Sequence, residues 1–197
     1  MSTEKTLIYY NSNAQSFIDS TVDVDFTSTQ NKFLDKINGK AYILDFGCGS
    51  GRDTKYFLDK GFIVDAIDGS EELCKFASEY TGIKVKKMFF QDLDEVNKYD
   101  AIWACSSILH LSYGELPDVL EKMSRALKDK GLIYTSFKLS DFEGYRNGRY
   151  FTDMTEKRLA ELLELVKSLE TEELWVTSDV RPGRGEEKWL NLFLRKK

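Results

Sequence analysis

Residues 43–54 read Ile43-Leu44-Asp45-Phe46-Gly47-Cys48-Gly49-Ser50-Gly51-Arg52-Asp53-Thr54. An apolar run passes directly into a Gly-x-Gly-x-Gly loop, and a helix-forming segment follows at once. Glycines in such a loop allow positive φ angles and leave bare backbone beside a ligand, while the next helix presents unpaired N–H groups at its N-terminus. A tight turn with an ordinary capping acid is the plain alternative. The stretch predicts a strand, a ligand-binding turn and a helix in succession.

The acids around this loop indicate which ligand it would hold. Asp68 ends the next apolar run, seventeen residues past Gly51, where a carboxylate accepts hydrogen bonds from ribose hydroxyls. A dinucleotide fingerprint requires a third glycine at the position of Arg52. The charge of Asp45 would repel a pyrophosphate but suits the sulfonium and amino groups of S-adenosylmethionine. We therefore predict S-adenosylmethionine as the cofactor, with a nicotinamide-dependent reductase as an alternative.

Apolar runs alternate with helical patterns after residue 40. The strand-like runs cover residues 42–46, 62–67, 85–90, 101–105 and 132–137. Between them apolar side chains recur at helical spacing, for example in residues 73–80. This alternation is typical of a parallel sheet covered by helices. Two closing runs, 174–177 and 189–194, are too close for a helical crossover and are predicted to pair antiparallel.

The chain shows no linker and no internal repeat, so we predict one α/β domain over residues 1–197. Residues 1–40, with a helix near 30–37, would form an N-terminal helical cap. Residues 41–137 would form the cofactor-binding core. Residues 138–197 would supply a substrate-side loop, a helix and the closing hairpin.

The composition excludes several classes of protein. Against 33 Asp and Glu there are 28 Lys and Arg, a net charge of −5, which argues against a broad nucleic-acid surface. Three scattered cysteines and one histidine predict neither a disulfide framework nor a metal site. The apolar runs are far shorter than the roughly 20 residues that span a bilayer, and the N-terminus lacks a secretory pattern. We expect a cytoplasmic protein without a membrane partner; the sequence leaves its oligomeric state open.

Four motifs together carry a family resemblance: Asp45-x-Gly47-x-Gly49-x-Gly51, Asp68-Gly69-Ser70, Gln91-Asp92-Leu93 and the run 99–104. Over nearly its whole length the sequence resembles the class I S-adenosylmethionine-dependent methyltransferases. The resemblance implies a Rossmann-like seven-stranded sheet in the order 3-2-1-4-5-7-6, with strand 7 antiparallel and helices on both faces. It also implies cofactor contacts from Asp45, Gly47, Cys48, Gly49, Gly51, Asp68, Gly69, Ser70, Gln91, Asp92, Leu93, Ala104 and Cys105.

Two further segments resemble the small enzymes related to tellurite-resistance methyltransferases. They are Tyr9-Tyr10-Asn11, followed by Ala14 and Phe17, and Ser107-Ile108-Leu109-His110. This resemblance implies a small molecule or an oxyanion as the methyl acceptor.

Methyl transfer from a sulfonium requires positioning and exclusion of water more than a covalent nucleophile. His110 is the candidate base, and a hydrogen-bonded structural role is its alternative. Cys105 lies nearby in the sequence, but no acid or oxyanion motif supports a Cys/His hydrolase. Tyr9 and Tyr10 are candidates to close over the cofactor, with simple packing as the alternative.

Cations follow the fifth and sixth strands, whose carboxyl ends are predicted to share the rim of the ligand crevice. The side chains are Lys138, Arg146, Arg149, Arg181 and Arg184. We take Lys138, Arg149 and Arg181 as candidate contacts for an anionic acceptor. The alternative is local neutralisation by nearby acids, namely Asp141, Glu143, Asp153, Glu186 and Glu187.

These observations favour a methyltransferase that acts on a small, anionic acceptor. A methyltransferase of tRNA or another macromolecule is an alternative, although its proline-containing motifs (Asn-Pro-Pro-Tyr and Pro-Cys) cannot be formed by Pro117 and Pro182. A non-catalytic S-adenosylmethionine sensor or assembly protein is another.

The placement of Asp68 gives a first testable prediction. Asp68→Ala should weaken S-adenosylhomocysteine binding about 10- to 150-fold, because hydrogen bonds to a charged acceptor contribute about 1.5–3 kcal/mol. Calorimetry on the folded variant measures this. Unchanged affinity would contradict a ribose contact at Asp68.

Overall fold

Residues 2–197, which this computed structural model describes, form alternating helices and strands; Met1, the first residue of the predicted cap, lies outside them. In chain order the elements are α1 Ser2–Ser12, α2 Ala14–Asp19, α3 Thr27–Leu34, β1 Tyr42–Phe46, α4 Arg52–Asp59, β2 Ile63–Asp68, α5 Glu71–Thr81, β3 Lys86–Lys87, β4 Tyr99–Ala104, α6 Leu116–Ala126, β5 Leu127–Lys138, β6 Glu143–Arg146, β7 Arg149–Thr152, α7 Glu156–Glu164, β8 Leu169–Ser178 and β9 Lys188–Lys196. No helix within the described residues is long and apolar enough to cross a membrane.

The main sheet has seven strands in the order β3-β2-β1-β4-β5-β9-β8. Strands β1 to β5 are parallel, whereas β9 runs antiparallel to both β5 and β8. With β8 and β9 as the sixth and seventh strands, this confirms the predicted order and the antiparallel closing hairpin. The carboxyl ends of β1, β4 and β5 therefore meet at one edge of the sheet, where ligands of open α/β sheets bind.

Alternate side chains along the strands build a core on each face of the sheet. In β4, Ile102 packs in the cluster that includes α6 and α7. Its neighbour Trp103 packs with Phe33 of α3 and Phe57 of α4 on the other face. This period-two alternation is expected for strands that are buried on both sides. Helices therefore cover both faces, as predicted.

A buried carboxylate, Asp53, joins α3, α4 and β4. It accepts hydrogen bonds from Gln30 Nε2 at 2.7 Å, Trp103 Nε1 at 2.8 Å and the Arg52 guanidinium at 2.8 and 2.9 Å. Burial alone would raise the pKa of Asp53, but Arg52 and the neutral donors outweigh it and lower that pKa. The carboxylate is thus charged and fully engaged. It fixes the start of α4 directly after the glycine loop.

Three sequence expectations need correction in detail. The third strand was predicted over 85–90, but only Lys86–Lys87 is a strand and a short 3-10 helix begins at Phe90. The predicted helix near 30–37 is Thr27–Leu34, and two further helices precede it. The segment after β5 was expected to be a loop, yet it contains the hairpin β6–β7.

The β6–β7 hairpin turns at Asn147 and Gly148, whose φ angles are 48° and 81°. Two consecutive left-handed residues are typical of a type I′ turn, and Asn-Gly is its preferred pair. The hairpin rests on α1, where the backbone N–H of Tyr150 donates to Thr6 Oγ1 at 2.9 Å. It therefore reaches across the carboxyl edge of the sheet.

The bond between Trp103 and Asp53 gives a prediction for stability. Trp103→Phe should lower the free energy of unfolding by about 2–4 kcal/mol, because a charged carboxylate loses a buried donor and the smaller ring leaves a void. Chemical denaturation measures this. Trp175→Phe, on the half-buried face of β8, is the control and should cost less than about 1 kcal/mol. Equal losses would mean that the bond to Asp53 adds nothing beyond ring packing.

Candidate functional site

A cavity of about 630 Å³ opens at the carboxyl edge of the sheet. On one side, which we call the loop side, it is lined by Gly47, Cys48, Gly49, Asp68 and Gly69. On the opposite side, the hairpin side, it is lined by Tyr10, His110, Arg146, Arg149 and Phe151. The cavity thus lies between the glycine loop and the segments α1 and β6–β7.

Two positions of the loop, Gly47 and Gly49, have no room for a side chain. Gly47 has a φ of +91°, and a Cβ there would lie 2.6 Å from Ser107 Cβ and 3.1 Å from the Phe90 ring. Gly49 has a φ of +56°, and its Cβ would lie 3.0 Å from the Phe17 ring. L-residues rarely adopt such angles. Bare backbone therefore faces the cavity at both positions.

Asp68, the last residue of β2, lines the loop side of the cavity. Its Oδ2 accepts from the Gly49 N–H at 3.0 Å and its Oδ1 from the Ser70 N–H at 2.8 Å. Burial raises the pKa of Asp68 against these backbone donors. The carboxylate therefore shapes the glycine loop as well as facing the cavity.

Asp45 lies beneath the loop, buried at the end of β1. Thr54 Oγ1 donates to its Oδ2 at 2.5 Å. Burial, followed by the charge of Asp53, raises the pKa of Asp45 to about 8. The charge of Arg52 opposes this rise without cancelling it, and a positively charged ligand in the loop would stabilise the ionised form further.

His110 connects three segments of the chain by hydrogen bonds. Its Nδ1 lies 2.6 Å from the carbonyl oxygen of Tyr150 in β7, and its Nε2 lies 2.8 Å from the hydroxyl of Tyr10 in α1. Burial lowers the pKa of His110 to about 4 although the Tyr150 carbonyl opposes this. The imidazole is therefore neutral near pH 7 and both ring nitrogens are engaged.

The five predicted cations all line the cavity, but four of them are neutralised by acids. Lys138 and Arg184 contact Glu187, Arg146 contacts Asp153, and Arg181 contacts Asp179. Asp179 also accepts from Trp189 Nε1 at 3.1 Å, and its pKa is lowered to about 2: burial opposes this, but hydrogen bonds from Arg181 outweigh it. Lys138 and Arg181 are therefore members of ion pairs, as the alternative of local neutralisation expects, and their contact with an acceptor stays a prediction.

Arg149 is the exception. Within the described residues it has no ion pair, and its buried Nε has no hydrogen-bond partner. Its guanidinium carbon lies 4.7 Å from the centre of the Tyr9 ring and 5.2 Å from that of Phe151. Aromatic faces hold the cation in place. Its Nη1 donates a long hydrogen bond of 3.5 Å to the Tyr10 hydroxyl, whereas its Nε stays without a partner.

The structure brings eleven of the predicted site residues to the cavity wall: Tyr10, Gly47, Cys48, Gly49, Asp68, Gly69, Cys105, His110, Lys138, Arg149 and Arg181. Eight others lie behind it or elsewhere: Tyr9, Asp45, Gly51, Ser70, Gln91, Asp92, Leu93 and Ala104. Leu93 packs in the core, and Gln91 donates to Glu115 at 3.1 Å. The chain turns into the 3-10 helix earlier than predicted, and this places Met88, Phe89 and Phe90 at the cavity instead.

Sequence reasoning missed Arg52 and a group of small polar residues. Arg52 lines the cavity over the Phe26 ring, at 4.7 Å from its centre. Its place directly after the last loop glycine was the available signal, since the start of such a helix faces the ligand. Ser106, Ser136 and Asn191 also line the cavity from the ends of β4, β5 and β9. No local motif marks them.

Comparisons with known proteins relate this chain to methyltransferases. Residues 43–131 match the family model described as a methyltransferase domain. An uncharacterized methyltransferase of Staphylococcus carnosus is 25% identical over 155 residues, which are 75% of this chain and 74% of that protein. The N-terminal Xaa-Pro-Lys N-methyltransferase 1 of Bos taurus is 33% identical over 129 residues, 58% of this chain and 56% of its own length. The chain thus spans little more than half of this bovine relative.

The fold is shared with a solved methyltransferase. The 1,6-didemethyltoxoflavin-N1-methyltransferase of Burkholderia thailandensis, determined with 1,6-didemethyltoxoflavin and S-adenosylhomocysteine, superposes with a TM-score of 0.73 at 23% identity. The match covers 96% of this chain and 85% of that one. The chain therefore has the Rossmann-like fold of that enzyme, and within it residues 43–131 match a methyltransferase domain.

Proposed function

We propose that this enzyme methylates a small anionic acceptor that is held on the hairpin side of the cavity. Arg149 is the observation that carries the proposal. Arg149 is half-buried, its Nε is buried without a hydrogen-bond partner, and the residue lines the cavity; a cation in such a place is costly unless a counter-charge reaches it. Carboxylate, phosphate ester and oxyanion groups match a guanidinium in charge and in hydrogen-bond geometry. This class includes the acceptors implied by the resemblance to tellurite-resistance methyltransferases.

The loop side fits the cofactor. Bare backbone at Gly47 and Gly49 admits a flat ligand, and Asp68 faces the cavity to accept ribose hydroxyls. Arg52 donates from Nε and Nη2 to Asp53 and lines the cavity, so its Nη1 is left as a donor for the carboxylate of the amino-acid part of the cofactor. The raised pKa of Asp45 fits a nearby cation.

The cofactor supplies an activated methyl group on its sulfonium when it is bound. The protein's part is then to hold the acceptor in line and to exclude water. His110 is a weak general base here, because its pKa is about 4 and its Nε2 is engaged with Tyr10. We assign it a structural role and assign substrate contact to its neighbours.

A second candidate is the N-terminal amine of a protein, because the bovine relative is named for that substrate. Arg149 disfavours it, since a free guanidinium repels an ammonium group. Measuring S-adenosylhomocysteine formation with small carboxylates, phosphate esters and an Xaa-Pro-Lys peptide separates the two candidates. Turnover of the peptide alone would contradict the proposal. Cofactor binding without turnover of any acceptor would favour the sensor alternative.

Asp45 gives a pH-dependent prediction. Its folded-state pKa of about 8 lies above the ordinary 3.8, so the fold prefers the neutral acid. This contribution to stability is complete below about pH 4 and is lost as the pH rises through about 8. Asp45→Asn, uncharged at every pH, should therefore melt at a higher temperature than the native protein at pH 8–9 and at a similar temperature near pH 4. Its affinity for S-adenosylmethionine should fall.

The control for Asp45 is Thr54→Val, which keeps the charge and removes its hydrogen-bond donor. This variant should lose most stability at high pH, where Asp45 is ionised. A lower melting temperature for Asp45→Asn at pH 9 would contradict a raised pKa at this position.

Arg149 gives a prediction for catalysis. Arg149→Gln should raise the KM for an anionic acceptor about 10- to 150-fold, because charge-assisted hydrogen bonds contribute about 1.5–3 kcal/mol. Its affinity for S-adenosylmethionine should stay within about two-fold. Added salt should reproduce part of the effect.

The matched control is Arg184→Gln, which removes a neighbouring charge whose contact with Glu187 is 3.9 Å long. This variant should change the KM less than about two-fold. If both variants raise the KM equally, the preference for anions comes from the overall positive charge at the cavity mouth and not from Arg149. If neither variant changes the KM, the acceptor is not anionic.

A further inference from the structure

The direction of the hydrogen bonds around His110 is fixed by chemistry. A backbone carbonyl only accepts, so the 2.6 Å contact with Tyr150 requires that Nδ1 carries the proton. In the neutral imidazole Nε2 then has a lone pair and no proton. The hydroxyl of Tyr10, 2.8 Å away, must therefore donate to Nε2. The low pKa of His110, caused by its burial, keeps this arrangement near neutral pH.

The consequence falls on the Tyr10 oxygen. A phenolic hydroxyl has one proton and can also accept, and here the proton is committed to His110. Tyr10 is half-buried and lines the cavity. Toward a ligand this oxygen acts only as an acceptor.

Tyr10 and Arg149 are neighbours on the hairpin side. Arg149 Nη1 donates a long hydrogen bond of 3.5 Å to the Tyr10 oxygen, which leaves one lone pair of that oxygen for a ligand, and the guanidinium carbon lies 5.8 Å from the centre of the Tyr10 ring. The Arg149 guanidinium offers only donors and a positive charge. An acceptor oxygen and a cationic donor thus stand side by side on the cavity wall.

We infer that Tyr10 and Arg149 form a two-point recognition site, which selects methyl acceptors that carry an O–H or N–H donor next to an anionic oxygen. The inference rests on the proposed function and narrows its substrate class. Arg149 binds the anionic oxygen, and Tyr10 accepts the neighbouring proton donor. His110 is the positioning residue that orients the Tyr10 hydroxyl. An acceptor that lacks the donor leaves the second lone pair of the Tyr10 oxygen, the one that Arg149 does not use, without a partner inside the cavity, which costs binding energy.

The test uses three probes of nearly the same shape. Pyrrole-2-carboxylate has an N–H beside its carboxylate, furan-2-carboxylate has no donor, and pyrrole-2-carboxamide has no charge. Calorimetry on protein saturated with S-adenosylhomocysteine measures their affinities. Pyrrole-2-carboxylate should bind about 3- to 10-fold more tightly than furan-2-carboxylate, as one net hydrogen bond predicts. It should also bind more tightly than the carboxamide.

Two variants separate the two contacts. Tyr10→Phe should bring the two carboxylates to within about two-fold of each other while leaving the affinity for furan-2-carboxylate unchanged. Arg149→Gln should weaken both carboxylates and preserve their ratio. A ratio unchanged in Tyr10→Phe would overturn the inference.

The single histidine provides a readout that does not depend on a probe. Nitrogen-15 NMR should show a protonated Nδ1 and an unprotonated Nε2 in native protein, and Tyr10→Phe should shift the Nε2 signal alone. A proton on Nε2 would overturn the inference, even if Tyr10→Phe does not fold. Failure of native protein to bind S-adenosylhomocysteine would contradict the proposed function itself. Cofactor binding with equal affinity for the two carboxylates, or with no affinity for any probe, would contradict only the two-point site.

Discussion

The charged carboxylate of Asp53 is the interaction on which the site depends. It is buried, and its donors come from α3, from β4 and from the adjacent Arg52, so none of these segments can shift without exposing an unsatisfied charge. Through this bond the start of α4, and therefore the glycine loop before it, has one position relative to the sheet. A second acid, Asp45, is kept nearby at a cost to stability. The glycine loop is therefore held in place from beneath by the bonds of Asp53, with the neutral acid Asp45 beside them.

The hairpin side of the cavity is held together mainly by ion pairs and aromatic contacts. Its cations are mostly balanced by acids from the same loops, and the polar groups that remain are few and fixed by long-range contacts. Arg149 is held by aromatic rings, and the Tyr10 hydroxyl is directed by His110. The two sides of the cavity therefore differ in chemistry. The loop side offers backbone and carboxyl groups, and the hairpin side offers the cation of Arg149 and the oriented hydroxyl of Tyr10.

The glycine loop and the closing hairpin could be predicted from the sequence, because they depend on local periodicity and on the length of the connection between strands. The order of the strands came from the family resemblance. The same local signals could not place Gln91 and Leu93, because a two-residue β3 turns the chain earlier than its apolar run suggests. They also could not tell Arg149 from Arg181. Both are arginines in polar loops, and only the fold shows that Asp179 reaches one of them while tyrosine rings surround the other. The Asn147-Gly148 pair is typical of a hairpin turn, and it marks β6–β7 in the sequence although no strand was predicted there.

The position of α1 has a consequence for the rate of the catalytic cycle. This helix crosses the cavity and is tied to the far wall by the bonds from Tyr150 to Thr6 and from Tyr10 to His110. A cofactor bound on the loop side, as proposed, would be enclosed by the same helix, since Leu7 lies against Gly69. Exchange of the used cofactor for a fresh one would then require α1 to move away and these bonds to break. Opening of the N-terminal segment, rather than the chemical step, would then set the turnover number.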